Sequence, residues 1–256
     1  MKRSSGARIG ATVAMSAVTL ALITGCSSDE SKDSTDNGKE ASASPTQAAK
    51  ALSAADLEKL LLTTSDLKGY KVDAGDDTLP KSKSEVKTDK AECDPLAWST
   101  AGLAPGDTEA SASNTVAEDK AATATASPED FEDAFNLNMT FVGLSSYDGD
   151  GAEKTMKALS DGVAACSGGY GLAADGEDSK VTKVSPAKAS GQGDESVAFS
   201  QGVDMDGEGT ANFTTEVVRK GNTIATFYTV NLASLGTGKV AEIPAEVVTT
   251  QVGKLK

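Results

Sequence analysis

The stretch Leu20-Ala21-Leu22-Ile23-Thr24-Gly25-Cys26 constrains this chain more than any other, because it sets where the folded part resides and which cysteines are free to staple it. A basic head with Lys2, Arg3 and Arg8 precedes an apolar run from Ile9 to Ile23, and small residues sit directly ahead of Cys26. That is the layout of an exported, cleaved leader over residues 1–25, ending in a lipobox. The apolar run is shorter than the roughly 20 residues a spanning helix needs, which disfavours a transmembrane anchor. Cys26 is the expected acceptor of a diacylglyceryl group and palmitate-type chains, and two such chains suffice to hold a protein on the extracytoplasmic face of a membrane.

Removing the leader takes three basic residues and no acidic ones, so the formal charge falls from −14 to −17. A chain this acidic does not suit nucleic acid or an anionic bilayer surface, where binding draws on clustered Lys and Arg. Residues 26–50 are crowded with Ser, Asp, Lys and Glu and, Pro45 aside, carry no apolar side chain larger than Ala after Cys26. They read as a lipidated, disordered tether spanning about 25 to 30 Å. Residues 51–256 make one domain large enough to bury about 70% of its unfolded surface.

With Cys26 given to the lipid, Cys93 and Cys166 remain, in a compartment where disulfides persist. A bond between them is the expectation, with loop-closure entropy contributing about 4 kcal/mol. Two buried free thiols or a metal pair are the alternatives. A metal would need further ligands, and the chain has no histidine.

Ser53-Ala54-Ala55-Asp56 opens a helix with a leucine face at Leu57, Leu60, Leu61 and Leu62, and Gly69 to Val72 starts an extended segment. Residues 73–92 read as a polar loop with at most a short strand. A second helix is expected from Asp94 as N-cap with Pro95 at its first position, stopped by Gly102. Trp98 on it packs near Cys93 or serves as a ligand platform. Weak strands are expected within Glu109–Ser127, and a strand from about Ala134 to Tyr147. Ala152, Met156, Leu159, Val163 and Cys166 recur at spacings of four, three, four and three, the pattern of an amphipathic helix that ends at Gly168-Gly169. Strands then follow over Val181–Ser185, Ser196–Gln201, Gly209–Val218 and Thr223–Leu232, with Gly221-Asn222 as a hairpin turn and Asp206-Gly207 turning the preceding pair. Pro244 opens a closing helix. The fold class is α+β: a curved antiparallel sheet with packed helices, a single domain and one disulfide.

No motif spells out a reaction. Asp204 to Gly209 has the first half of a calcium loop, but Thr215 stands where the bidentate Glu belongs. Gly168-Gly169-Tyr170-Gly171 lacks a preceding strand and a Lys-Ser/Thr, so it reads as a helix stop and loop. No Ser lies in a nucleophile elbow, so no catalytic residue, metal site or cofactor is expected, and the chain does not read as an enzyme.

With these residues in place, the domain resembles the extracellular sensor domain of the mycobacterial Ser/Thr kinase PknH and the actinobacterial lipoproteins that share it. The resemblance covers approximately Leu52 to Leu255. It rests on Leu60-Leu61-Leu62 followed by Asp66-Leu67, Asp89-Lys90 ahead of Cys93, Ala164-Ala165-Cys166, Val217-Val218-Arg219-Lys220-Gly221-Asn222, and the closing helix. It implies a curved antiparallel sheet enclosing a cleft for an envelope ligand. The chain departs from the pattern by carrying a lipobox in place of a kinase and membrane helix, and by lacking a second cysteine pair near the last strands. A more distant likeness is to the LpqN-like envelope lipoproteins. The expectation is a lipid-anchored binding or sensing module. The alternative is an acidic accessory that joins an envelope complex through protein contacts and takes no small ligand.

Overall fold

Alternating apolar residues over the last third of the chain build a sheet whose two faces are both buried, and the helices divide between those faces. The computed structural model describes residues 50–74, 79–108, 110–119, 137–174, 176–205, 209–231 and 239–256. The leader, Cys26 and the tether up to Ala49 lie outside the described residues, as do residues 120–136 and, within the calcium-like loop, the Asp206-Gly207 turn and Glu208. In chain order the elements are α1 (Ala54–Leu60), β1 (Tyr70–Asp73), β2 (Val86–Thr88), α2 (Asp94–Thr100), β3 (Ser111–Glu118), β4 (Asn138–Ser146), α3 (Gly151–Ala165), β5 (Tyr170–Ala174), β6 (Glu177–Pro186), β7 (Glu195–Asp204), β8 (Thr210–Lys220), β9 (Thr223–Asn231) and α4 (Ala245–Lys254). The nine strands form one open sheet in the order β1-β3-β4-β9-β8-β7-β6-β5-β2, antiparallel at every pairing. This is the α+β class expected, with one disulfide.

The central hairpin sets the register of the rest. Gly221 has φ +57°, the left-handed backbone a two-residue turn requires, and it pairs Lys220 with Thr223. From there Ile224 and Val217 point to one face, while Ala225, Phe227 and Val218 point to the other. The first face packs against α2, α3 and the Cys93–Cys166 disulfide. The second packs against α1 and α4 through Leu57, Val247, Val248 and Val252. Each face thus has its own core.

The predicted face of α3 is the buried one: Ala152, Met156, Leu159 and Val163 are buried, and Cys166 caps its end fully buried. Gly162 permits the close approach of α3 to the entry of α2, since a Cβ there would lie 2.8 Å from the Glu92 carbonyl oxygen. The disulfide joins that entry to the end of α3 with Cα atoms 5.9 Å apart.

Two local readings are corrected. Asp94 is not the cap of α2: a 3₁₀ turn over Ala91–Cys93 runs straight into the helix, which Asp94 begins. The Asp94 carboxylate is taken instead by the Thr88 hydroxyl at 2.6 Å. Gly168-Gly169 do stop α3, with Gly169 at φ +81°, but Tyr170-Gly171 are not loop. They open β5, which β6 and β2 pair from either side.

At the other end, Ser53 caps α1 by accepting from the Asp56 amide, as expected. The helix stops at Leu60, and extended backbone at Leu61 turns Leu61 and Leu62 inward. Helix α4 holds this end through Lys254, whose ammonium donates to the Leu61 carbonyl at 2.8 Å and to Asp66 at 2.7 Å. That hydrogen bond, with those from Thr63, lowers the Asp66 carboxyl from 3.8 to about 2. A depressed acid stabilises the fold above its unfolded value and loses that contribution as pH falls through its folded one. Urea unfolding of Asp66→Asn and the parent therefore shows a gap of up to about 1 kcal/mol at neutral pH, the scale of a partly exposed pair. The gap closes between 3.8 and about 2. A gap that persists at the acid end would rule the pair out as its cause.

Candidate functional site

On the disulfide face, the sheet and α2 leave a cleft of about 260 Å³ between them. Its floor comes from five strands: Tyr170 and Leu172 on β5, Val181 on β6, Gln201 and Val203 on β7, Phe213 on β8 and Tyr228 on β9. Its wall is Ala97 and Thr100 of α2 and the capping Ala101, with Val86 of β2, and Leu79-Pro80 close the rim. The disulfide pins the first turn of α2, and Thr100 sits at that helix's far end, so the staple fixes the wall of the cleft. Gly102, with φ +70°, ends the helix as the sequence predicted, through a Leu103 amide bond back to the Trp98 carbonyl.

A directed hydrogen-bond relay crosses the floor. Gln201 is buried and its Nε2 donates to the Tyr170 hydroxyl. Its Oε1 must then accept, and Thr100 Oγ1 donates to it at 2.7 Å. Thr100 has one proton and a second acceptor in reach, the Leu96 carbonyl at 3.0 Å, and it meets Thr215 Oγ1 at 3.0 Å, where either hydroxyl can donate. This chain leaves the Tyr170 proton without an acceptor among the described residues. Tyr228 has none either: its ring stacks on Phe141 at 5.8 Å and tilts against Phe213 at 5.6 Å, while its hydroxyl makes no hydrogen bond there.

Burial pushes both phenols above their ordinary range; for Tyr170 the Gln201 bond opposes this and the Asp94 charge adds to it. Both stay protonated, hence donors. The described lining carries no charged side chain. What the cleft offers is apolar contact with two unspent O–H donors, the lining of a small-molecule site, at a volume just under the usual 300 to 1,000 Å³.

Of the residues singled out in the sequence, Cys93 and Cys166 meet as the disulfide behind the cleft. Cys26 lies outside the described residues. Trp98 does not line the cleft; its Nε1 donates to the Val86 carbonyl at 3.4 Å and Lys83 lies 4.4 Å from its ring centre. It packs against the core that holds Cys93 and is no ligand platform there. The sequence named none of Tyr170, Gln201, Thr100, Phe213 or Tyr228 as a group. Alternation along β8 and β9 was the only signal available for Phe213 and Tyr228.

Among the described residues, no helix is long and apolar enough to cross a membrane. No protein-family model and no curated protein matches the chain. Among solved structures it is similar to the extracellular domain of PknH from Mycobacterium tuberculosis, at 11% identity over 80% of this chain and 97% of that one, with a TM-score of 0.48. It is also similar to the Rv0999 ortholog from Mycobacterium smegmatis, at 15% identity over 79% of this chain and 94% of that one, with a TM-score of 0.33. Both are actinobacterial proteins, and the first is the domain that the residues of this sequence resemble.

Proposed function

We propose that this chain is an envelope lipoprotein, anchored through Cys26 on the extracytoplasmic face of the cell membrane, whose domain captures an amphiphilic ligand in the cleft. The observation that carries the reading is the pair of phenol donors, Tyr170 and Tyr228, left without acceptors among the described residues in a lining that is mostly apolar and, apart from them, polar only at Thr100 and Gln201. A ligand suited to them has a carbonyl, ester or sugar oxygen on an apolar segment, as lipid and glycolipid fragments of an envelope do. The lipobox, the tether and the disulfide support the compartment. The reading is binding, since the ionisable groups of the described lining are phenols that burial keeps protonated.

Native mass spectrometry of the full chain from its own host's envelope tests it. A reproducible bound mass is expected, and Tyr228→Phe lowers its retention about tenfold, the value of one hydrogen bond of roughly 1.4 kcal/mol. The same variant changes unfolding free energy by less than about 0.5 kcal/mol, because the hydroxyl has no partner among the described residues to lose. A bare protein together with an unaffected Tyr228→Phe variant across a screen of envelope lipids and glycans would sink the reading.

Anchoring has its own test. Cys26→Ser leaves the leader uncleaved or releases the protein from the membrane fraction. Normal processing with full membrane retention would refute lipidation.

A further inference from the structure

The opposite face of the sheet holds a buried carboxylate that the described residues only half satisfy. Glu216 on β8 is 5% exposed. Its Oε1 accepts from the Ser190 amide at 2.7 Å and from the Ser190 hydroxyl at 2.5 Å. The Ser190 hydroxyl in turn accepts from the Gln192 amide at 3.2 Å, which fixes its direction. Glu216 Oε2 has no hydrogen-bond or ion-pair partner among the described residues. Two hydrogen bonds to one oxygen leave the other open to a cationic donor.

Glu216 lines a cavity of about 680 Å³ beneath the segments 187–190 and 240–245. The register β7–β8 pairs Ser200 with Thr214 and Ala198 with Glu216, so the carboxylate and two hydroxyls share one patch of the floor. Neither hydroxyl has a partner among the described residues, and both line the cavity. The facing wall is apolar, with Ile243, Val248 and Val240, the last being 43% exposed.

We propose that this cavity is a second binding site, one that takes a primary ammonium group on a short apolar stem. An ammonium has three N–H donors and needs three acceptors. Glu216 Oε2, Thr214 Oγ1 and Ser200 Oγ supply them on one patch, while the apolar wall covers the stem. The positive charge neutralises Glu216, and a chain of net charge −14 draws cations toward it. Lys188 and Glu242 also line the cavity, both exposed, and the Lys188 ammonium is the internal competitor.

The full chain is titrated with n-butylammonium chloride at fixed ionic strength, and the amide resonances of Ser190 and Thr214 are followed, with 1-butanol as the neutral match. Saturable shifts with the ammonium and weaker ones with the alcohol are expected. Glu216→Gln, which keeps an oxygen for Ser190, weakens the ammonium about tenfold or more. Thr214→Val, which leaves the charge in place, weakens it about threefold, and Lys188→Met leaves it equal or tighter. Equal response to ammonium and alcohol overturns the proposal, as does a Glu216→Gln titration that matches the parent. Binding seen only in Lys188→Met also overturns it, because the lysine then fills the site in the native chain.

Discussion

Replacing Cys93 and Cys166 together by alanine lowers the unfolding free energy by about 4 kcal/mol, the largest effect expected of any pair in the domain. The bond spans 73 residues of chain, so its loss frees a long loop in the unfolded state, and loop-closure entropy at that length is about 4 kcal/mol. Both sulfurs are fully buried in the core on the cleft face, and their removal adds a packing loss of the same sign. Because the entropy acts on the unfolded chain, urea titration should show a lower midpoint and also a steeper dependence on urea, as the unlinked chain exposes more surface. For a domain of this size the melting temperature falls by about 8 to 16 °C. Retention of the ligand proposed for the cleft falls as well, since α2 is fixed at its start by Cys93 and supplies Thr100 to the relay at its end. A loss under about 1 kcal/mol would mean that the native bond is strained or that the unfolded chain stays compact without it.

What the residues disclosed in advance was local. Ser53 with Asp56, the four-three-four-three spacing from Ala152 to Cys166, and Gly221-Asn222 each carry their signal within a few residues, and each stands where it was expected. Asp94 misled because a cap is a competition: Thr88, six residues back, takes its carboxylate. Strand β5 was missed because Tyr170-Gly171-Leu172-Ala173-Ala174 has little intrinsic strand preference; its extended form comes from β6 and β2, and β2 lies more than 80 residues earlier. The cleft was illegible for the same reason. Alternation puts Phe213 and Thr215 on one face of β8, but the meeting of Thr100, Tyr170 and Gln201 depends on strand order and on which helices cover that face. Glu216 was one acid among 38 until its neighbours buried it.

Gln251→Leu is expected to cost about 3 to 4 kcal/mol, although it replaces a fully buried polar residue with an apolar one of similar size. Helix α1 ends at Leu60 and leaves backbone groups without helical partners inside the second core. Gln251 of α4 satisfies two of them: its Oε1 accepts from the Leu62 amide at 3.1 Å and its Nε2 donates to the Leu60 carbonyl at 2.9 Å. A leucine there strands a donor and an acceptor, each costing roughly 1 to 3 kcal/mol, and the gain in apolar burial offsets only part of that. Gln251→Glu discriminates this from a packing effect. A glutamate keeps the acceptor for Leu62 but, when ionised, faces the Leu60 carbonyl with a second acceptor, so its cost grows with pH across the carboxyl titration while that of Leu stays flat. Urea unfolding of both variants at two pH values, one on each side of that titration, reads the difference. A Leu variant within about 1 kcal/mol of the parent would show that water or a shifted α4 satisfies the end of α1. The effect should also reach beyond α1, because Lys254 on the same helix holds Leu61 and Asp66, and a loosened α4 gives up those bonds together.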